Sequence, residues 1–145
     1  MTRDDVFKQL ADIKSDAELI DNESDFVEGW INSGIGLEAV EPILRFMEAN
    51  PLWDFGSPGA LVHFVERFYG KGYEELLATS ILRLPTAHTA WMLNRIINGE
   101  KELDKQRYYV DLLRKAKTRN DIDTGAFNQI TRFCALHADV PPPVL

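Results

Sequence analysis

The sequence predicts an all-α protein of about seven or eight helices, and three observations support this fold class. Apolar residues recur at intervals of three and four along most of the 145-residue chain, as on the buried face of a helix. Serine, threonine and aspartate residues stand where several of these patterns begin, which is typical of helix N-caps. The chain shows neither sustained polar–apolar alternation nor a hairpin turn signal, so no strand is predicted.

The pattern places the helices in order along the chain. Val6, Leu10 and Ile13 indicate a first helix at about 3–14, and Ser24 is expected to cap a short second helix that carries Trp30. Ser57 followed by proline predicts another helix start, because a cap and then proline suit the first helical turn. The other helices are predicted at about 37–50, 73–84, 87–98 and 108–117, and from Asp123 or Thr124 to about 137.

Three of these helices repeat one pattern. The segments 59–68, 88–97 and 125–134 align without gaps, and each follows another predicted helix. Three helix pairs at a spacing of about 36 residues indicate a short HEAT-like α-solenoid. This register makes Phe127 and Cys134 core residues. An irregular bundle of the same helices is the alternative.

The length of the chain fits one domain with a substantial core. We therefore expect a single helical domain over 1–145. Within it, 1–35 is predicted to be an acidic N-terminal helical extension, 36–137 the three helix-pair repeats and 138–145 a C-terminal tail.

Composition limits the classes of function. A net charge of −7 disfavours nucleic acid as a ligand, because phosphate contacts need a basic face. Cys134 is the single cysteine, so an intrachain disulfide is excluded and a reducing compartment is expected. The polar N-terminus lacks the apolar core of a signal peptide, and no run is long enough to span a membrane. A cytoplasmic protein with no membrane partner is the expectation.

The negative charge is concentrated in the first third of the chain. Residues 1–54 carry 13 acidic and 4 basic side chains, a net of −9, whereas residues 55–145 carry 10 and 12, a net of +2. The densest part contains Asp21, Glu23, Asp25 and Glu28. These carboxylates form either a solvated, solubilising face or a docking surface that attracts a basic partner.

Signals of catalysis are sparse. The chain contains no glycine-rich phosphate loop and no nucleophile elbow, and its three histidines lie on different predicted helices. Cys134 is interpreted as a small buried apolar residue rather than a nucleophile. A non-enzymatic protein without a cofactor or a metal site is therefore expected.

Binding residues are predicted in two further places. Trp53 and Asp54 lie in a long loop between helices, where the tryptophan either anchors a partner or plugs the loop onto the helices. The solvent side of the second helices is the other candidate surface, and it carries Glu66, Tyr69, Arg95 and Asn98. Asn94 falls on the core side, where it serves either as a structural amide or as a ligand contact.

Two segments carry a resemblance to a known family. "EPILRFMEANPLWDFGSPGALVHFVE" (41–66) and "YEELLATSILRLPTAHTAWMLNRIIN" (73–98) resemble small all-helical immunity proteins encoded beside bacterial polymorphic toxins, including those of contact-dependent inhibition, Rhs and type VI systems. The resemblance covers about residues 37–137 and implies a HEAT-like fold that neutralises one cognate toxin without catalysis. Such toxins are often nucleases, so it also implies a basic toxin domain as the partner of a protein that is monomeric when free.

Two other functions stay open. A helical-repeat adaptor or scaffold would bind several peptides or proteins weakly. A DNA glycosylase of HEAT-like fold would need a basic groove, which the net charge of −7 disfavours.

Overall fold

The computed structural model describes residues 1–144 and confirms the all-α prediction. It contains no strand in this range, and a short 3₁₀ helix at Leu37–Ala39 precedes the third α-helix. The eight α-helices are α1 (Arg3–Ala11), α2 (Asp16–Ser33), α3 (Val40–Ala49), α4 (Ala60–Glu66), α5 (Tyr73–Arg83), α6 (Ala87–Gly99), α7 (Leu103–Lys117) and α8 (Thr124–Leu136).

Helix α2 is much longer than predicted. Its cap is Ser15 rather than Ser24, and the Ser15 side chain accepts a hydrogen bond from the backbone N–H of Glu18. The helix ends at Ser33, and its C-cap Gly34 has a φ of 76°, a left-handed conformation that glycine adopts without steric cost. Ser24 therefore lies on the exposed side of a continuous 18-residue helix.

The predicted helix start at Ser57 is wrong. Helix α4 begins at Ala60 with Gly59 as its N-cap, and glycine has no side chain that could bond the first turn. The backbone N–H of Ala60 instead donates to Oε1 of Glu23 on α2, at 3.3 Å. A Cβ on Gly59 would overlap the carbonyl oxygen of Phe55, so this tight approach requires glycine. A tertiary contact thus sets the helix start.

The start of α7 also differs from the sequence prediction. The helix begins at Leu103, five residues before Tyr108. Leu103 is half-exposed and the rest of the first turn is polar, so this turn carries no apolar periodicity. Helix α6 matches its predicted bounds to within one residue. Its cap, Thr86, exchanges hydrogen bonds with Thr89 in a buried capping box.

The chain divides into two compact units, Met1–Leu76 and Leu77–Leu145, with the division falling inside α5. In the first unit α1 packs on α3 and α2 packs on α4. In the second unit α8 packs on both α6 and α7. Helices that pack on the next helix but one are typical of stacked helix pairs. The HEAT-like repeat over 36–137 and the single domain stay predictions.

The first unit is built around Trp30, which has no exposed surface. Its indole N–H donates to Oε1 of Gln9 at 2.6 Å, and its ring meets Phe64 edge-on at 5.4 Å. Trp30 thus joins α1, α2 and α4. Residues 1–35, predicted as an extension, contribute to this core through α1 and α2.

The core of the second unit contains Leu93, Leu113 and Ile130, one from each of α6, α7 and α8. The predicted core position of Phe127 is wrong, because its side chain is 42% exposed and Ala126 is buried instead. Cys134 is half-buried. Arg114 anchors the start of the 138–145 tail, because its guanidinium donates to the carbonyl oxygen of Val140 at 2.6 Å. Leu145 lies outside the described residues.

Candidate protein-binding surface

An acidic face runs along α2. Asp21, Asp25 and Glu28 are exposed, and their spacing of four and three residues puts them on one side of the helix. Buried Leu19 and Trp30 lie on the opposite side. We call these three residues the α2 acidic face. The structure places three of the four predicted acidic residues together at the surface.

Glu23 is the exception, and its prediction as a surface residue is wrong. Only 8% of it is exposed, because the helix turns it towards α4. Its Oε1 accepts from Ala60, and its Oε2 is buried without a hydrogen-bond partner. Burial raises the pKa of Glu23, although the Ala60 bond works in the opposite direction. Glu23 therefore acts as a structural cap for α4.

Apolar side chains border the α2 acidic face. Ile20 is 51% exposed and Ile31 is 43% exposed. Eleven residues make about three helical turns, so the two isoleucines lie on the same side of α2. The helix thus offers a negative face with an apolar edge, a combination that suits a protein partner.

The loop between α3 and α4 is partly anchored by aromatic packing. Phe55 is buried against Phe46, whereas Trp53 packs edge-on against Phe46 at 5.6 Å and stays half-exposed. Asp54 is exposed, and its Oδ1 accepts from the backbone N–H of Gly56 in a tight turn. Leu52, which the sequence reasoning missed, is 79% exposed and is the most accessible apolar side chain of this loop.

A groove of about 390 Å³ lies between α2 and α4. Val27 and Ile31 line it from α2, and Phe64 lines it from α4. Glu28 stands on the α2 wall, whereas Arg67, at the C-cap of α4, stands on the other. The sequence gives no signal for this groove, because residues 28 and 67 meet only when the two helices pack.

Glu66 and Tyr69 form a local pair at the end of α4. The Tyr69 hydroxyl donates to Oε2 of Glu66 at 2.7 Å, and the tyrosine is 43% exposed. The Glu66 side chain is only 11% exposed, so it supports Tyr69 more than it offers a contact of its own. Both residues belong to the first unit.

The remaining predicted residues belong to the second unit. Arg95 stacks over the half-buried Trp91 ring at 5.1 Å, and Asn98 is exposed. Asn94 is buried on the core side of α6, and its Oδ1 lies 2.6 Å from Nε2 of His137. Since an amide oxygen accepts, His137 donates this bond. Asn94 is therefore a structural amide.

The groups most often used in metal binding and nucleophilic catalysis are placed as follows in the described residues. No group of three histidine, cysteine, aspartate or glutamate side chains within 1–144 is arranged to hold a metal ion. Burial raises the pKa of the Cys134 thiol, which leaves it protonated and a poor nucleophile at neutral pH. Burial also lowers the pKa of His137, which bonds Asn94 rather than a nucleophile.

Comparisons with known proteins leave the family undetermined. No model of a protein family matches the chain, and neither a curated protein nor a solved structure matches it. None of the helices between residues 1 and 144 combines the length and apolar character that crossing a membrane requires. Function is therefore inferred from the surface geometry and from the resemblance of the segments 41–66 and 73–98.

Proposed function

We propose that this chain is an immunity protein that binds a cognate bacterial toxin and neutralises it without catalysis. The α2 acidic face is the observation that carries the proposal. Three exposed carboxylates on one helical face create a local negative potential, which attracts a basic protein domain over a longer distance than packing forces act. The partner expected is a basic toxin domain, with a nuclease as the first candidate.

The proposed mechanism separates capture from retention. The α2 acidic face accelerates encounter with the basic toxin, because electrostatic attraction raises association rates more than it raises affinity. Ile20 and Ile31 beside that face lose water on contact, and such apolar burial slows dissociation. Covering the toxin's basic surface would block the approach of its substrate. No cofactor is needed, and one monomer in the cytoplasm of the producing cell suffices per toxin.

The first test is capture followed by protection. The tagged chain is purified from its native host at moderate salt, and a stoichiometric basic protein encoded in the adjacent gene is expected with it. Expression of that protein alone should arrest growth, and co-expression of this chain should restore it. Several substoichiometric partners would favour the adaptor function instead, and a partner whose expression does not impair growth would contradict the immunity function.

The second test addresses the α2 acidic face with the captured partner. Reversing Asp21, Asp25 and Glu28 to lysine together should slow association by at least about tenfold at low salt, with the difference shrinking as salt rises. The control reverses Glu102, Asp104 and Asp139, which are exposed in the second unit and give the same change in net charge. Equal slowing by both variants would show that total charge matters and the α2 acidic face does not.

A further inference from the structure

The groove between α2 and α4 has walls of opposite charge. Glu28 is exposed on the α2 wall, and Asp21 and Asp25 extend the negative charge along the same helix. Arg67 is exposed on the opposite wall. His63 also lines that wall, with its Nδ1 3.9 Å from Oε1 of Glu66, and Arg67 supplies the formal positive charge of the wall.

The floor of the groove is apolar, and its exposed part lies on α2, because Phe64 on α4 is only 1% exposed. Val27 and Ile31 are four residues apart on α2 and therefore adjacent along the groove, and Phe64 contributes from α4. The guanidinium carbon of Arg67 lies 5.7 Å from the centre of the Phe64 ring, which holds the arginine at the rim. The open volume above this floor is about 390 Å³.

These features fit an amphipathic helix rather than a flat protein surface. A helix places apolar residues at intervals of three and four on one side, and its two flanks can carry different charges. We propose that the groove binds an amphipathic helix of the toxin that has basic residues on the flank facing α2 and acidic residues on the flank facing α4. This inference rests on the proposed function for the identity of the partner, and on the groove alone for the chemistry of the helix.

The chemistry can be tested with defined peptides and the full-length chain. Three 18-residue helical peptides share one row of leucines and differ in the charged residues beside it. The mixed peptide has lysine on one flank and glutamate on the other. The lysine-only peptide has lysine on both flanks, and the glutamate-only peptide has glutamate on both. The mixed peptide should bind best, and its amide chemical-shift changes should centre on Val27, Ile31 and Phe64. A mixed peptide with serine in place of leucine should not bind.

One charge reversal supplies the sharpest comparison. Arg67→Glu makes both walls acidic, so the variant should lose about fivefold in affinity for the mixed peptide and prefer the lysine-only peptide. Arg132→Glu is the matched control, because Arg132 is exposed on α8 outside the groove and the change in net charge is identical. Ile31→Ser should weaken the mixed and lysine-only peptides alike, since it removes an exposed part of the apolar floor.

The outcomes separate this inference from the proposed function. Inversion of the peptide preference by Arg67→Glu, but not by Arg132→Glu, supports the groove. Equal binding of the three peptides, shift changes outside the groove, or no shift changes at roughly millimolar peptide would overturn it. Peptide discrimination without a growth-arresting partner would refute the immunity function alone. A protective complex that is formed without peptide discrimination would refute the groove alone.

Discussion

Replacing Trp30 with alanine is expected to lower the free energy of unfolding by about 3–5 kcal/mol. The ring is completely buried, and its neighbours Gln9 and Phe64 lie on other helices. The deletion would leave a cavity where α1, α2 and α4 meet, and packed helices close such a cavity only in part. Most of the cost is therefore lost apolar burial and packing.

The hydrogen bond to Gln9 makes a smaller and separable contribution. A Trp30→Phe variant keeps an aromatic ring but loses the indole N–H, which donates to Oε1 of Gln9 at 2.6 Å. A hydrogen bond of this kind is worth about 0.5–1.5 kcal/mol, to which the smaller ring adds a modest packing loss. Trp30→Phe should thus retain more than half of the stability that Trp30→Ala loses.

Urea unfolding followed by far-ultraviolet circular dichroism measures both variants, because the signal reports the helices of the whole chain. Trp91→Ala is the matched control, since Trp91 is half-buried beside Arg95 and its removal should cost distinctly less. If Trp30→Ala cost no more than Trp91→Ala, the assignment of α2 to the core of the first unit would be refuted. Residues 1–35 would then be an appendage to the fold.

Three further predictions concern single side chains. Because burial raises the pKa of Glu23, ionisation of this carboxyl favours unfolding, and Glu23→Gln should be at least as stable as the native chain at pH 7. The advantage of the variant should disappear as the pH falls towards 4.5, and urea unfolding at the two pH values measures it. Asn94→Ala leaves Nε2 of His137 without its partner and should lower the free energy of unfolding by about 1–3 kcal/mol. A decrease below about 0.5 kcal/mol would indicate that water replaces the amide. Gly59→Ala should lower the free energy of unfolding by about 1–3 kcal/mol and so lower the midpoint of thermal unfolding, because the new Cβ overlaps the Phe55 carbonyl oxygen. Gly29→Ala should raise that midpoint, because its Cβ meets nothing within 4 Å.

The sequence was sufficient for features that depend on neighbouring residues. The sequence predicts both ends of helix α6 to within one residue. Its cap, Thr86, bonds Thr89 only three residues away, and the spacing of its apolar residues is also a local property. The same reasoning failed for α2. Ser15 and Glu18 carry the spacing of a capping box, and that signal would have placed the helix start correctly.

The acidic face shows what the sequence determined only in part. The excess of negative charge in residues 1–54 was evident from composition, and three of the four candidates are exposed on α2. Once the helix is placed at Asp16–Ser33, its periodicity sets Glu23 on the face of Leu19 and Trp30, but it does not specify which element covers that face. Its burial depends on Ala60, which is 37 residues away in the chain.

By itself, the sequence determined the fold class, most helix positions and the region of negative charge, because periodicity, capping and composition act over a few residues. The tertiary structure decided the start of α4, the structural role of Asn94 and the opposed charges of Glu28 and Arg67. Each of these depends on groups from separate helices. The physical reason is that burial and partnership arise only when amphipathic faces pack, and the sequence does not specify which faces will meet.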